Sequence, residues 1–259
     1  MRNTKRQSIS RRNWTGGQRN EGRRHFYVPE AGEHDELPQE ESQHAIRVLR
    51  LMEGDEIFLM DGNGVFFRAE VTLAQGKHCH YRIIEELPQE KDWKGHLHIA
   101  MAPTKMMERV EWMAEKATEI GVDEFSFPLC KFSERKQMRK DRVEKIVVSA
   151  VKQSRKPWMP VVNEMTPFMD IIKQHPKGFI CHCYDEVPRT DFFGELKALD
   201  ITDNDEILVL VGPEGDFSIE EVKAAVEAGY KSVSLGSARL RTETAALSAV
   251  MMMQLAVRS

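Results

Sequence analysis

Two segments near the C-terminus combine residue types and spacings that could do chemistry. The first is Val211-Gly212-Pro213-Glu214-Gly215-Asp216-Phe217-Ser218. It follows the apolar run Ile207–Val211, which suits a central parallel strand covered on both faces. Ser218 with Glu221 three residues later has the form of a capping box, so a helix begins there. A glycine-rich turn between a strand's carboxyl end and a helix's amino end is where open α/β sheets place ligands. Gly212 and Gly215 allow close approach to the backbone, whose free N–H groups can bind polar atoms. The spacing is neither G-x-G-x-x-G nor a Walker-type loop, which argues against a dinucleotide or a triphosphate. A plain tight turn is the competing reading.

The second segment is Leu235-Gly236-Ser237-Ala238-Arg239-Leu240-Arg241-Thr242-Glu243-Thr244-Ala245. It too passes from a short strand into a helix, with Thr242 as the expected N-cap. Arg239 and Arg241 flank Leu240, so an extended loop would turn both to one side. Two solvated arginines at a helix start would oppose the helix dipole. Contact with an anion or an electron-rich base explains them better. Other combinations carry less. His78-Cys79-His80 and Cys181-His182-Cys183 contain metal-ligating types, but neither has the partners of a tetrahedral set, and no metal is expected. No serine is framed by a nucleophile elbow, and the methionines read as core filling.

These loops need a scaffold. Alternating strands at His96–Ala102, Phe125–Leu129, Gly178–Cys183, Ile207–Val211 and Ser232–Leu235 are expected to interleave with helices. The helices are placed at Met106–Ile120, Arg139–Ser154, Phe168–Gln174, Ile219–Ala228 and Glu243–Val257. That alternation predicts a parallel α/β sheet with helices on both faces. The last helix is apolar around most of its circumference, so it is buried on several sides, either within one subunit or at a subunit interface. Upstream, ordered structure is expected to begin at His25–Val28, followed by a helix over Pro38–Arg50 and strands at Ile57–Met60, Val65–Leu73 and His78–Ile84. Asp61-Gly62-Asn63-Gly64 marks a hairpin between the first two of those three. A small β-barrel-like domain follows from this, joined to the rest through the polar segment Leu87–Gly95.

The chain has 259 residues, 41% of them hydrophobic, enough for a substantial core. No apolar run is long enough to span a membrane, and the first residues lack the apolar core of a signal peptide. Cys79, Cys130, Cys181 and Cys183 form no C-x-x-C pair and read as reduced thiols of a cytoplasmic protein. The net charge of −4 is uneven: residues 1–24 carry +7, and Lys131–Lys156 carries another +7 inside an acidic body. Two basic islands suggest local contact with a polyanion such as RNA; a solubilising tail and an ordinary solvated helix face are the alternative. Residues 1–24 lack apolar periodicity and read as a disordered basic arm.

Taken together, these segments resemble the bacterial methyltransferases that modify N3 of a uridine in small-subunit ribosomal RNA. That family belongs to the knotted α/β class of S-adenosylmethionine enzymes called SPOUT. Its GPEGG-F-S and L-G-x-R-x-L-R-T-E-T-A signatures are matched by Gly212–Ser218 and Leu235–Ala245. Agreement extends to His44–Gly64, Lys105–Val122 and Lys152–Arg155. Asp216 departs from it where a second Gly is common, and Ala238-Arg239 where the Arg usually stands one position earlier. The resemblance implies a PUA-like RNA-binding domain over 25–90 and a SPOUT domain with a trefoil knot over 91–259. It implies S-adenosylmethionine held by Val211, Gly212, Pro213, Glu214, Gly215, Leu235, Gly236, Leu240, Arg241 and Thr242. Arg241 would steady negative charge on a uracil oxygen, with Glu214 a candidate base. Arg47, Arg50, Lys105 and Arg155 would meet the 16S RNA, free or in the assembled 30S particle, and the enzyme would be a homodimer. The same fold acting at a ribose 2′-oxygen, or a non-catalytic ribosome-assembly factor, are the alternatives.

Overall fold

The computed structural model describes residues 24–258; apart from Arg24, the expected basic arm lies outside them. Two sheets organise the chain. The smaller has the order β1-β2-β3-β4, formed by β1 (His25–Tyr27), β2 (Glu56–Met60), β3 (Val65–Gln75) and β4 (His78–Pro88). β1 runs parallel to β2, and the other pairs are antiparallel, β2 turning into β3 through the expected Asp61–Gly64 hairpin. Its core gathers Phe26, Leu37, Ala45, Leu51, Ile57, Leu59, Phe67, Val71 and Tyr81.

The helix expected over Pro38–Arg50 is shorter and changes type. α1 (Gln39–Gln43) passes directly into a π-helical turn, His44–Val48. Leu49 N–H donates to the His44 carbonyl at 3.1 Å and Leu51 N–H to that of Ala45 at 3.0 Å. The wider turn rotates the apolar stripe. Ala45 and Leu51 are buried, whereas Val48 and Met52, three and seven residues after Ala45 and so on its face in a regular α-helix, are 67% and 70% exposed.

The larger sheet holds β5 (His96–Met101), β6 (Glu124–Leu129), β7 (Val161–Pro167), β8 (Gly178–Cys181), β9 (Thr190–Asp191), β10 (Glu206–Val211) and β11 (Tyr230–Ser234). Their order is β7-β6-β5-β10-β8-β11-β9, with every pair parallel. β7, β9 and the short α5 (Phe192–Ala198) were not foreseen. β7 and β9 are the edge strands, polar or very short, and α5 carries a central glycine, so none has a clear apolar period. The helices α2 (Met107–Ile120), α3 (Lys140–Ser154), α4 (Phe168–Gln174), α6 (Ile219–Glu227) and α7 (Thr242–Val257) lie close to their expected positions.

Residue alternation along the central strands shows why both faces are covered. Leu97, Ile99, Met101, Ile207, Val209 and Val211 join the core formed with α2, α3 and α7. Ala100, Leu208 and Leu210 join the opposite core with Phe168, Ile171 and Ile172 of α4 and Val222 and Ala225 of α6. α7 is mostly covered within the chain, but Met251 and Leu255 stay 44% and 42% exposed.

The expected linker Leu87–Gly95 is more than a tether. It starts inside β4, and its Trp93 is buried with Nε1–H donating to Asp123 at 3.0 Å. The small sheet also docks directly. Gly64 N–H donates to the Pro157 carbonyl at 3.0 Å, Met159 N–H to that of Gly62 at 2.9 Å, and Lys152 Nζ reaches Glu41 at 2.6 Å. Gly64 has φ 99°, and a Cβ there would run into the Trp158 ring.

Candidate active site

The order of the large sheet reverses around β10: the chain builds β5, β6 and β7 to one side and β8 to the other. A cleft of about 960 Å³ opens at the carboxyl ends of β8, β10 and β11, the position expected from that switch. Val211, Gly212, Pro213, Glu214 and Gly215 line one wall; Leu235, Gly236, Leu240, Arg241 and Thr242 line another. Arg109 of α2, Cys181, His182, Cys183, Arg189 and Glu243 also line it, and sequence reasoning had assigned none of these a role.

The first loop is held from three sides. Asp216 N–H closes a turn onto the Pro213 carbonyl at 2.9 Å. Ser218 and Glu221 form the expected capping box of α6. Gly212 is pressed against Phe217, whose backbone N would lie 3.0 Å from any added Cβ. Asp216 stands at φ 67°, a conformation Asp adopts more readily than most residues. Its Oδ2 accepts from Cys183 N–H at 2.8 Å and its Oδ1 from Phe217 N–H at 2.7 Å. The departure from glycine therefore adds a tie to the segment after β8. Glu214 is exposed, and its Oε1 accepts from the Lys105 N–H at 2.9 Å, so this carboxylate anchors the loop to the approach to α2.

In the second loop Gly236 has φ 121° and open space where a Cβ would point; the backbone there demands glycine while the side-chain position stays free. The expected cap is displaced by one residue. Arg241 has extended backbone and is the N-cap of α7, its carbonyl accepting from Ala245 N–H at 2.8 Å, while Thr242 is the first helical residue and is buried. Arg239 and Arg241 are exposed at the cleft. Glu243 is only 6% exposed, its Oε1 lies 3.7 Å from Arg109 Nε, and its Oε2 has no hydrogen-bond partner among the described residues.

The cysteines of the cleft are thiols. Burial, with the Asp216 charge behind it, pushes Cys181 up to about 12 and raises Cys183 as well, which leaves no thiolate nucleophile. Burial lowers His182 below the usual histidine value.

The residues proposed for RNA contact lie elsewhere. Arg47 and Arg50 are exposed around the π-turn, and Arg155 ends α3 at φ 52°, its charge adding to the burial that lowers His25 to about 4. Lys105 lines a separate, smaller depression with Glu134 and Arg135, and its Nζ pairs with Glu134 at 2.9 Å.

The amino ends of strands in the same sheet, β5, β6, β7 and β10, carry a second polar cluster. Buried His98 bonds Glu206 at 2.9 Å through Nδ1 and Ser126 at 2.8 Å through Nε2; Glu206 also meets His175 at 3.0 Å. Glu124 takes His96 at 2.8 Å and Asn163 at 2.6 Å. The ligand-type atoms of His98, Glu124 and His175 lie within 4.8 Å of one another, engaged in this network.

Residues 91–254 match the family described as an RNA methyltransferase domain, and residues 37–84 match an RNA methyltransferase PUA domain. The chain belongs to the RNA methyltransferase family. Among solved structures, this methyltransferase is similar to a "probable rRNA-methyltransferase" from Porphyromonas gingivalis, with 39% identity, 90% of this chain and 97% of that one covered, and a TM-score of 0.81. The ribosomal RNA small subunit methyltransferase E of Neisseria gonorrhoeae, bound to S-adenosyl methionine, has 25% identity, 89% and 96% coverage and a TM-score of 0.77. The Bacillus subtilis protein of that name is 26% identical over 220 residues, 82% of this chain and 86% of its own length. The methyltransferase's small sheet is thus a PUA domain, and its cleft sits in the portion that the catalytic-domain family covers.

Proposed function

We propose that this enzyme transfers the methyl group of S-adenosylmethionine to N3 of a uridine in 16S ribosomal RNA. The observation that carries the reading is the cleft between the two glycine-bearing loops, in a chain whose relative was solved with S-adenosyl methionine bound. The residues fit that group: the cleft has the volume of a small-molecule site, and Gly236 leaves open space beside exposed backbone. Val211–Gly215, Leu235, Gly236 and Leu240–Thr242 would hold it. When bound, it supplies an electrophilic methyl on a sulfonium.

The chain's own residues must position the base and stabilise charge. Arg241, exposed and unpaired among the described residues, is suited to steady negative charge on a uracil carbonyl oxygen. The target base must leave its stack to enter the cleft. Arg47, Arg50, Arg155 and Lys105 would meet the RNA backbone, giving an affinity that falls steeply with salt. Lys105 is the weakest of these because Glu134 already pairs with it. Met251 and Leu255 offer an apolar strip for a second copy of the chain. The reading also includes the trefoil knot, the division at 25–90 and 91–259, action on free RNA or a 30S particle, and a cytoplasmic location; no helix among the described residues is long and apolar enough to cross a membrane.

Mass spectrometry of 16S RNA nucleosides from a deletion strain, with and without the restored gene, tests this reading. Loss and return of 3-methyluridine is the expected result. An unchanged 3-methyluridine level overturns it, and loss of a ribose-methylated nucleoside instead assigns the other position.

A further inference from the structure

Three carboxylates line the cleft, Glu214, Asp216 and Glu243, and they are not equivalent. Glu214 accepts the Lys105 N–H. Asp216 uses both oxygens on backbone N–H groups. His182 is also engaged at both ring nitrogens, with Ser232 Oγ at 3.1 Å and the Tyr184 N–H at 3.2 Å, and the cysteines hold their protons. Glu243 differs. It is 6% exposed, one oxygen faces Arg109, and the other is buried with no hydrogen-bond partner among the described residues. A buried carboxylate oxygen without a donor is unfavourable in the isolated protein. It is accounted for if a donor arrives with the ligand.

We propose that Glu243 is the acceptor of the proton on uracil N3, with Arg109 as the positioning residue that holds its other oxygen. This rests on the uridine-N3 reading above. N3–H is the one N–H donor of a uracil base within RNA, and it must be lost for the nitrogen to act as a nucleophile. The N3–H bond breaks and an O–H bond forms on Glu243 Oε2. The pair left on N3 forms the new N–C bond, and the pair of the broken methyl–sulfur bond stays on sulfur. Glu243 returns its proton to solvent after product leaves, so one proton is released per methyl transferred.

The test is Glu243→Gln, with Glu243→Asp and Arg109→Gln beside it. For Glu243→Gln, kcat should fall by about a hundred- to ten-thousandfold. KM for RNA, calorimetric affinity for S-adenosylmethionine and the melting midpoint should stay near those of the wild type. The residual rate should rise with pH where the wild-type rate has levelled off, because hydroxide replaces the missing base. Glu243→Asp should restore part of kcat, and Arg109→Gln should lower it less than Glu243→Gln does. Full kcat in Glu243→Gln, or a loss confined to S-adenosylmethionine affinity, overturns the proposal. If Glu243→Gln does not fold, the Asp variant decides: a pH–rate profile identical to the wild type overturns it. Nucleoside analysis of the wild-type product separates the two claims. A methyl on an atom other than N3 defeats the underlying reading, whereas 3-methyluridine made at full rate by Glu243→Gln defeats this inference alone.

Discussion

The two ends of the large parallel sheet treat polar groups in opposite ways. At the amino ends, His98 is fully buried with both ring nitrogens bonded, Glu206 joins two histidines, and Glu124 joins His96 and Asn163. At the carboxyl ends, Glu243 keeps a buried oxygen without a donor, and Arg239 and Arg241 make no ion pair with the described residues. One end closes its hydrogen-bond network within the chain and so contributes to stability. The other leaves donors, an acceptor and positive charge available, as a ligand site must. Polar content alone would not separate the two; satisfaction of that content does.

Substitutions at each end should therefore fail differently. After Glu243→Gln, the largest effect is expected for Arg241→Ala, which should lower single-turnover methyl transfer by about a hundred- to a thousandfold while calorimetry still detects S-adenosylmethionine binding. Turnover near the wild-type rate would remove the contrast at its functional end. His98→Leu should instead destabilise the fold by about 3 kcal/mol, since it takes a buried hydrogen-bond partner from both Glu206 and Ser126. Denaturant unfolding measures this, and activity per folded molecule should be unaltered; a neutral result would show that the closed network is not stabilising.

A smaller effect is expected for Gly212→Ala, whose Cβ would meet the Phe217 backbone at 3.0 Å. The loop must shift by a few tenths of an ångström, and affinity for S-adenosylmethionine should drop about tenfold. Unchanged affinity would mean that the loop yields without cost.

The least effect concerns pH. Burial pushes Glu124 up, but the hydrogen bond from His96, the His98 charge and Asn163 outweigh it and hold the carboxyl near 2. The same hydrogen bond raises His96 above 6.5. The depressed carboxylate stabilises the fold above its ordinary value of 4.5 and loses that contribution as pH falls toward 2. The raised histidine contributes fully below 6.5 and fades as pH rises through its elevated value. Melting midpoints should therefore peak between those limits and decline by about 1–2 °C toward pH 8, the His96 side chain being partly exposed. A curve that keeps rising to pH 8 would deny the His96–Glu124 pair its role.

The carboxyl end was largely legible in the sequence because its signals are local. An apolar strand, a glycine turn and a capping box lie within fifteen consecutive residues, 207–221, and the loops they imply do converge on one cleft. Identifying the ligand took the resemblance, since strand–turn–helix geometry is chemically neutral. What escaped depends on distance. Arg109 and Glu243 meet only once α2 and α7 pack together, and no spacing rule links them. Glu243 was in view inside its motif, but its missing hydrogen bond is a property of the fold. The amino-end network escaped for the same reason: His96, Glu124, Asn163 and Glu206 each look like an ordinary polar residue at a strand start. Asp216 was noticed as a departure, yet its tie to Cys183 required the segment after β8 to be seen beside it.

The seam between the sheets has a geometric meaning. Backbone bonds from Gly64 to Pro157 and from Met159 to Gly62, the Lys152–Glu41 pair and the Trp158 ring over Gly64 fix the PUA domain against the catalytic one. If RNA is gripped at Arg47 and Arg50, as proposed above, it would be offered to the cleft across a set span, as work is held in a jig. Target choice would then follow from how far the modified nucleotide lies from the gripped segment, with length doing part of the selecting that base-reading contacts do elsewhere.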